Sequence, residues 1–162
     1  MALQGPFVKT VKDYDDAGNV ILCEYYGANG QLTNCSGGYA KYTAKYNELK
    51  QQTWIEFFGE DGMPMNYDGY SIREREFDGD GNVSIERYFD ANEEPIACRS
   101  GYYEIRKIYD GRNVVNETYF DQNGQPMEVK GAYGLFYIYN ENGKVEQRLK
   151  LDMDGNLLVI VE

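Results

Sequence analysis

The sequence predicts an all-β fold, a tandem antiparallel β-hairpin array forming a solenoid-like meander of about four units of 31 residues. Three observations predict it. Four segments superimpose at one period, residues within each segment alternate in character, and turns rich in Asp, Asn and Gly recur at matching places.

The repeat is carried by YYGANGQLTNCSGGYAKYTAKYN, FFGEDGMPMNYDGYSIREREFD, YFDANEEPIACRSGYYEIRKIYD and YFDQNGQPMEVKGAYGLFYIYN. Their second aromatics, Tyr26, Phe58, Phe89 and Phe120, are spaced by 32, 31 and 31 residues. Six positions on stand Leu32, Pro64, Pro95 and Pro126, and 12 or 13 on stand Tyr39, Tyr70, Tyr102 and Tyr133. Tyr46, Phe77, Tyr109 and Tyr139 close the units. Self-similarity at a fixed period of this length is the signature of an array. The chain reads as one repeat domain over 1–162, with a half-unit at 1–13 and units starting near 14, 46, 77 and 109. A C-terminal half-unit with a capping or pairing strand occupies 139–162.

Within a unit the period is two. Val83, Ile85 and Arg87 alternate with Ser84, Glu86 and Tyr88, and Val20, Leu22 and Glu24 lead to Tyr26 in the same way; such alternation predicts half-buried strands. DDAGN, DGDGN and NENGK follow Tyr14, Phe77 and Tyr139. Their Asp, Asn and Gly residues supply the positive φ and local side-chain bonds of hairpin loops. The Pro after the second turn has no N–H and fits a strand's first residue or an edge. One unit thus reads as a short strand, a turn, a longer strand bent near Gly-Tyr, and another turn. The segment from Tyr42 to Lys50 comes nearest to a helical pattern, but its place in the register predicts strand.

The chain has 162 residues, 42% of them hydrophobic, which suits a folded domain rather than a disordered tail. Its formal charge of −11 repels phosphate backbones and anionic lipid, so neither a nucleic-acid partner nor membrane insertion is expected. No stretch approaches the roughly 20 apolar residues of a membrane span. MALQGPFVKT has no apolar core of a secretory signal.

The absence of His removes the commonest general base and the Ser-His and Cys-His nucleophile pairs. Nearly every Asp falls in a turn that recurs between units, where a catalytic residue has no reason to recur. The expectation is no enzyme, no catalytic residue and no cofactor. Calcium is the best metal candidate, at Asp78, Asp80 and Asn82 and at Asp152, Asp154 and Asn156. An EF-hand loop needs Gly and Glu where Val83 and Phe89 stand, and turn chemistry explains the same residues without a metal. Cys23, Cys35 and Cys98 show no metal or redox spacing; Cys35 and Cys98 share a place that Tyr67 and Val129 hold in the other units, a packing position. Asn34, Asn82 and Asn116 begin N-x-Ser/Thr patterns that a sequence of this composition yields by coincidence.

YDDAGNV from Tyr14, FDGDGNV from Phe77 and YNENGKV from Tyr139 resemble the YD repeats of the Rhs family. YFDANEEP from Tyr88 and YFDQNGQP from Tyr119 are more loosely similar to bacterial glucan- and choline-binding cell-wall repeats. The resemblance implies a bacterial surface or secreted β-hairpin array used as a shell, spacer or ligand-binding surface. Two departures stand beside it: choline-binding repeats use paired Trp, whereas Trp54 is alone here, and Rhs shells use many more repeats.

Tyr39, Tyr70, Tyr102 and Tyr133 are the candidate ligand-binding residues. A row of Tyr serves equally as a stacked core or as a platform for sugar rings, since each ring has an apolar body and a polar tip. The functional expectation is a non-catalytic module binding carbohydrate or protein through a repetitive face. Its rival is a structural subunit that assembles end to end, a homo-oligomer through terminal strands. Leu157, Leu158, Val159, Ile160 and Val161 form the candidate assembly edge, because an uncovered apolar edge pairs with another strand.

Overall fold

The structure, a computed structural model, describes residues 7–158. It is all-β, as the sequence predicts, and no helix occurs among the described residues, so none is long and apolar enough to cross a membrane. The strands are β1 (Lys9–Tyr14), β2 (Val20–Tyr26), β3 (Lys41–Tyr46), β4 (Gln52–Phe58), β5 (Ile72–Phe77), β6 (Val83–Phe89), β7 (Glu104–Asp110), β8 (Asn113–Phe120), β9 (Gly134–Tyr139) and β10 (Val145–Leu151). Their order in the sheet is their order in the chain, an antiparallel meander. The Tyr42–Lys50 segment supplies β3, not a helix.

One local device ends most strands. In the Asp15–Asn19 turn the Asp15 carboxylate accepts the amides of Ala17 (3.0 Å) and Asn19 (2.8 Å), while Gly18 takes φ +84°. Asn47, Asp78, Asp90, Asp121, Asn140 and Asp152 accept the equivalent pair of amides in their own turns. A side-chain oxygen bonded two and four residues ahead substitutes for strand pairing and forces the reversal. The adjoining strand loses register by one residue, as between Asp13 and Tyr14 or Lys45 and Tyr46, which is how a five-residue loop with a left-handed fourth position joins two strands.

The predicted long strand bent at Gly-Tyr is instead two pieces separated by a complete reversal. After β2 the chain turns at Gly27–Gln31, pairs briefly through Leu32 with Tyr26, and turns again at Cys35–Tyr39 before β3. Pro64 and Pro126 occupy the same short bridges, opposite Phe58 and Phe120, as edge placement requires of a residue without N–H. The second turn alternates in length. Cys35–Tyr39 and Cys98–Tyr102 span five residues, with Gly38 and Gly101 at positive φ. Tyr67–Tyr70 and Val129–Ala132 span four, with both central residues left-handed: Asp68 and Gly69 in one, Lys130 and Gly131 in the other.

Contacts divide the strands into two compact units. The first runs through Glu74 and includes Tyr88–Glu94; the second holds Arg75–Arg87 and the chain from Pro95 onward. The first unit is packed by rings: Tyr25–Tyr39 at 6.0 Å, Tyr39–Phe57 at 4.9 Å, Phe57–Tyr67 at 4.4 Å and Tyr70–Tyr88 at 4.7 Å between centroids. Such pairs contribute about 0.5–1.5 kcal/mol each beyond the area they bury. On its other face Lys41 lies 5.1 Å from the Phe58 ring and Lys45 5.1 Å from Trp54.

In the second unit Ile105, Tyr119, Ala132 and Leu151 are buried. Glu104, 6% exposed, accepts Arg87 Nε at 2.6 Å and Arg106 Nε at 2.5 Å, so its buried charge is compensated twice. The closing aromatics Tyr109 and Tyr139 donate their hydroxyls to the carbonyls of Val83 and Val114, at 2.8 and 2.7 Å, tying each hairpin to the strand before it.

Candidate functional site: an open cleft in the second unit

The four candidate tyrosines do not share one environment. Tyr39 is half-buried among Tyr25, Tyr42, Phe57 and Tyr67, and burial pushes its phenol up to about 12. Tyr70, 6% exposed, packs on Tyr88. Tyr102 stacks on Tyr119 with centroids 5.3 Å apart and planes inclined by 16°. Tyr133 is one residue out of step. Ala132 accepts the Val129 amide as Tyr102 accepts that of Cys98, whereas Tyr133 donates its amide to Leu151 as Tyr103 does to Phe120. The four-residue turn at Val129–Ala132 causes the slip, because a fixed count from Phe120 overshoots a shortened loop.

Of the four, Tyr102 borders an open cleft of about 310 Å³. The register builds its floor: Ile105 opposes Tyr119, Lys107 opposes Glu117, and Glu117 opposes Leu135. Opposed residues of neighbouring strands project from the same face, so β7, β8 and β9 deliver all five side chains together. The walls are two second turns, with Ser100 and Tyr102 from the five-residue one and Val129 and Lys130 from the four-residue one.

The Tyr119 hydroxyl donates to Glu117 Oε1 at 2.5 Å. Burial and this carboxylate together raise the Tyr119 phenol above its ordinary value. Tyr137 responds to the same group: burial first, then the charge and hydrogen bonding of Glu117, push it up to about 12. Tyr102 is pushed up to about 12, mainly by burial. At neutral pH the cleft therefore presents neutral phenols around one carboxylate. Lys107 and Lys130 also line it, and neither has an ion-pair partner among the described residues.

The same place in the first unit is closed. There Tyr42 opposes Phe57, Ala44 opposes Ile55, and Ile55 opposes Arg73, matching the cleft register pair for pair. Tyr67 fills the position of Val129, against Tyr39 at 5.4 Å and Phe57 at 4.4 Å. The second unit carries Val129 for Tyr67, Lys107 for Ala44, Glu117 for Ile55 and Ser100 for Gly37. A ring that sealed the core is gone, and polar groups stand in the space it leaves. Lys107, Glu117, Tyr119 and Lys130 were not singled out from the sequence; comparing units two apart, which share turn lengths, exposes them.

The aspartates of the calcium-like segments act as turn acceptors. Asp78 Oδ1 accepts the amides of Asp80 and Asn82 at 2.9 and 2.9 Å, and the hydrogen bonds of Asn82 hold its carboxyl below the ordinary value. Asp152 accepts those of Asp154 and Asn156 at 2.9 and 2.9 Å. Cys35 and Cys98 begin the five-residue turns, and Cys23 is buried in β2. At the C-terminal edge Leu157 bridges Leu151 and the Leu158 amide donates to the Lys150 carbonyl at 2.8 Å, with side chains 53% and 42% exposed. Val159, Ile160 and Val161 lie outside the described residues.

The chain matches no protein-family model and no curated protein.

Proposed function

We propose that the protein is a non-catalytic β-repeat binding module and that the Tyr102–Tyr119 cleft is its carbohydrate site. The observation that carries this reading is internal: one architectural position is an aromatic core in the first unit and an open, polar cleft in the second. Packing alone gives no reason to exchange the opposed Ala44 and Ile55 for Lys107 and Glu117. Its volume lies at the lower end of the range for small-ligand sites, roughly 300–1,000 Å³. Stacked phenols offer an apolar wall to the C–H face of a sugar ring, and the carboxylate and ammonium groups beside them suit its hydroxyls. The likeness to cell-wall-binding repeats agrees with this reading.

The test is a glycan array followed by calorimetric titration of the best oligosaccharide. Glu117→Gln keeps the shape of the cleft and removes its charge; it should weaken binding at least about tenfold with the melting temperature little changed. Ala44→Ser, at the closed position of the first unit, should leave affinity unaltered. An array without any binder sinks the reading.

The second reading, assembly through the C-terminal edge, is favoured by the exposed side chains of Leu157 and Leu158 beside β10. A row of unpaired backbone groups bearing apolar side chains is a template for another strand. Light scattering over a concentration series tests it, and a strict monomer at high concentration rules it out.

A further inference from the structure

The charges around the cleft narrow the class of sugar it takes. Lys107 stands opposite Glu117 in the β7–β8 register, the arrangement in which a cross-strand ion pair normally forms. It does not form. Glu117 accepts the Tyr119 hydroxyl instead, and Lys107 has no ion-pair or ring partner among the described residues. Lys130 also reaches the cleft without a partner, from a left-handed position at φ 50°. A third ammonium stands at the same turn: Lys150 donates through Nζ to the Lys130 carbonyl at 3.3 Å.

Three cations against one carboxylate make a local excess of positive charge in a protein whose formal charge is −11. The closed counterpart in the first unit has Ala44 and Asp68 where Lys107 and Lys130 stand, so repeat packing does not demand either lysine. Unpaired lysines on the walls of a concave site focus the field on whatever enters it.

Resting on the carbohydrate reading, we infer that the ligand is an anionic saccharide. Its acidic substituent, a carboxylate or a sulfate, lies between Lys107 and Lys130, while its hydroxyls meet Glu117 and Ser100 and its ring lies along the tyrosine wall. A charge-assisted hydrogen bond to each lysine, roughly twice as strong as a neutral one, then separates acidic from neutral sugars.

The test titrates the full chain with three probes of equal length: an oligogalacturonate, a neutral oligogalactose and a sulfated oligogalactose. At least one acidic probe should bind about tenfold more tightly than the neutral one, with the advantage shrinking as salt is raised. Preference for the galacturonate assigns a carboxylate, preference for the sulfated probe assigns a sulfate, and equal affinity supports the anion in either form. Lys107→Ala, which installs the residue of the first unit, and Lys130→Ser should each erase most of that advantage and leave neutral binding unchanged. Equal affinity for neutral and acidic probes, unaltered by both variants, overturns the anionic inference while the carbohydrate reading stands. Failure of all three probes together with an empty glycan array overturns both.

Discussion

A Cβ on Gly134 would collide with the carbonyl oxygen of Glu117 on the neighbouring strand. Thr118 stands opposite Gly134 in the register, and its methyl would lie 3.0 Å from the same added carbon. β8 and β9 meet more closely here than a side chain permits, and the residue fixed by that approach is the one that carries the cleft carboxylate. Gly134 is therefore required by proximity rather than by a left-handed backbone.

Gly134→Ala should destabilise the protein by about 1–3 kcal/mol, the usual cost of forcing extra atoms into a packed contact. Gly79→Ala, where nothing lies within 4 Å of the new carbon, is the control and should be close to neutral. Urea denaturation of the two variants measures the difference.

Burial raises the phenols of Tyr25, Tyr39, Tyr42, Tyr102, Tyr119 and Tyr137 above the ordinary 10.0. A group whose folded pKa exceeds its unfolded one gives its full stabilisation below the unfolded value and loses it as pH rises through the folded value. Stability should thus be flat up to about pH 10 and fall steeply above it. Tyrosinate absorbance should then appear together with loss of the β-sheet dichroism signal. A gradual absorbance rise in a chain that stays folded would contradict this.

Glu56 is half-buried on β4, and its carboxyl is raised by desolvation first and by Glu93 second, against an opposing effect of Lys45. The folded state therefore holds the charged form less well than the unfolded state does. The penalty is present above the folded pKa and fades as pH falls through that value towards 4.5. Glu56→Gln should raise the melting temperature at pH 7, and the gain should vanish in acid; a variant less stable than the parent at neutral pH refutes it.

Deleting the chain after Asn156 removes the Leu157 bridge and the Leu158 hydrogen bond to β10. If the segment is an assembly edge, the truncated chain keeps its dichroism spectrum and any oligomer dissociates. A truncated chain that no longer folds identifies the segment as a cap. Dichroism and light scattering on the same sample separate the two.

The all-β class, the hairpin turns and the strand-forming role of Tyr42–Tyr46 were legible in the sequence because each is decided within a few residues. Asp15, Asp78 and Asp152 each bend the backbone through their own carboxylate, so the motif and the structure coincide. The reversal after Leu32 was not legible, since a Gly-Tyr step reads alike in a bend and in a turn. Tyr133 was misaligned because a one-residue change of loop length is invisible to counting from a distant aromatic. The cleft was hidden for a related reason. Adjacent units differ in their second turn, so Lys107 and Glu117 find their counterparts, Ala44 and Ile55, only two units away.

The neighbour-to-neighbour order of the strands also bears on how the chain reaches its structure. Every strand hydrogen-bonds with the strand before or after it in sequence, so no pairing waits for remote parts of the chain to meet. The entropy of closing long loops, which slows most β proteins, is small when partners are joined by short turns. Turns that carry their own side-chain acceptor bias the reversal before any strand has paired. Folding can then nucleate at several hairpins and spread in both directions, as in other arrays whose repeats contact only their neighbours.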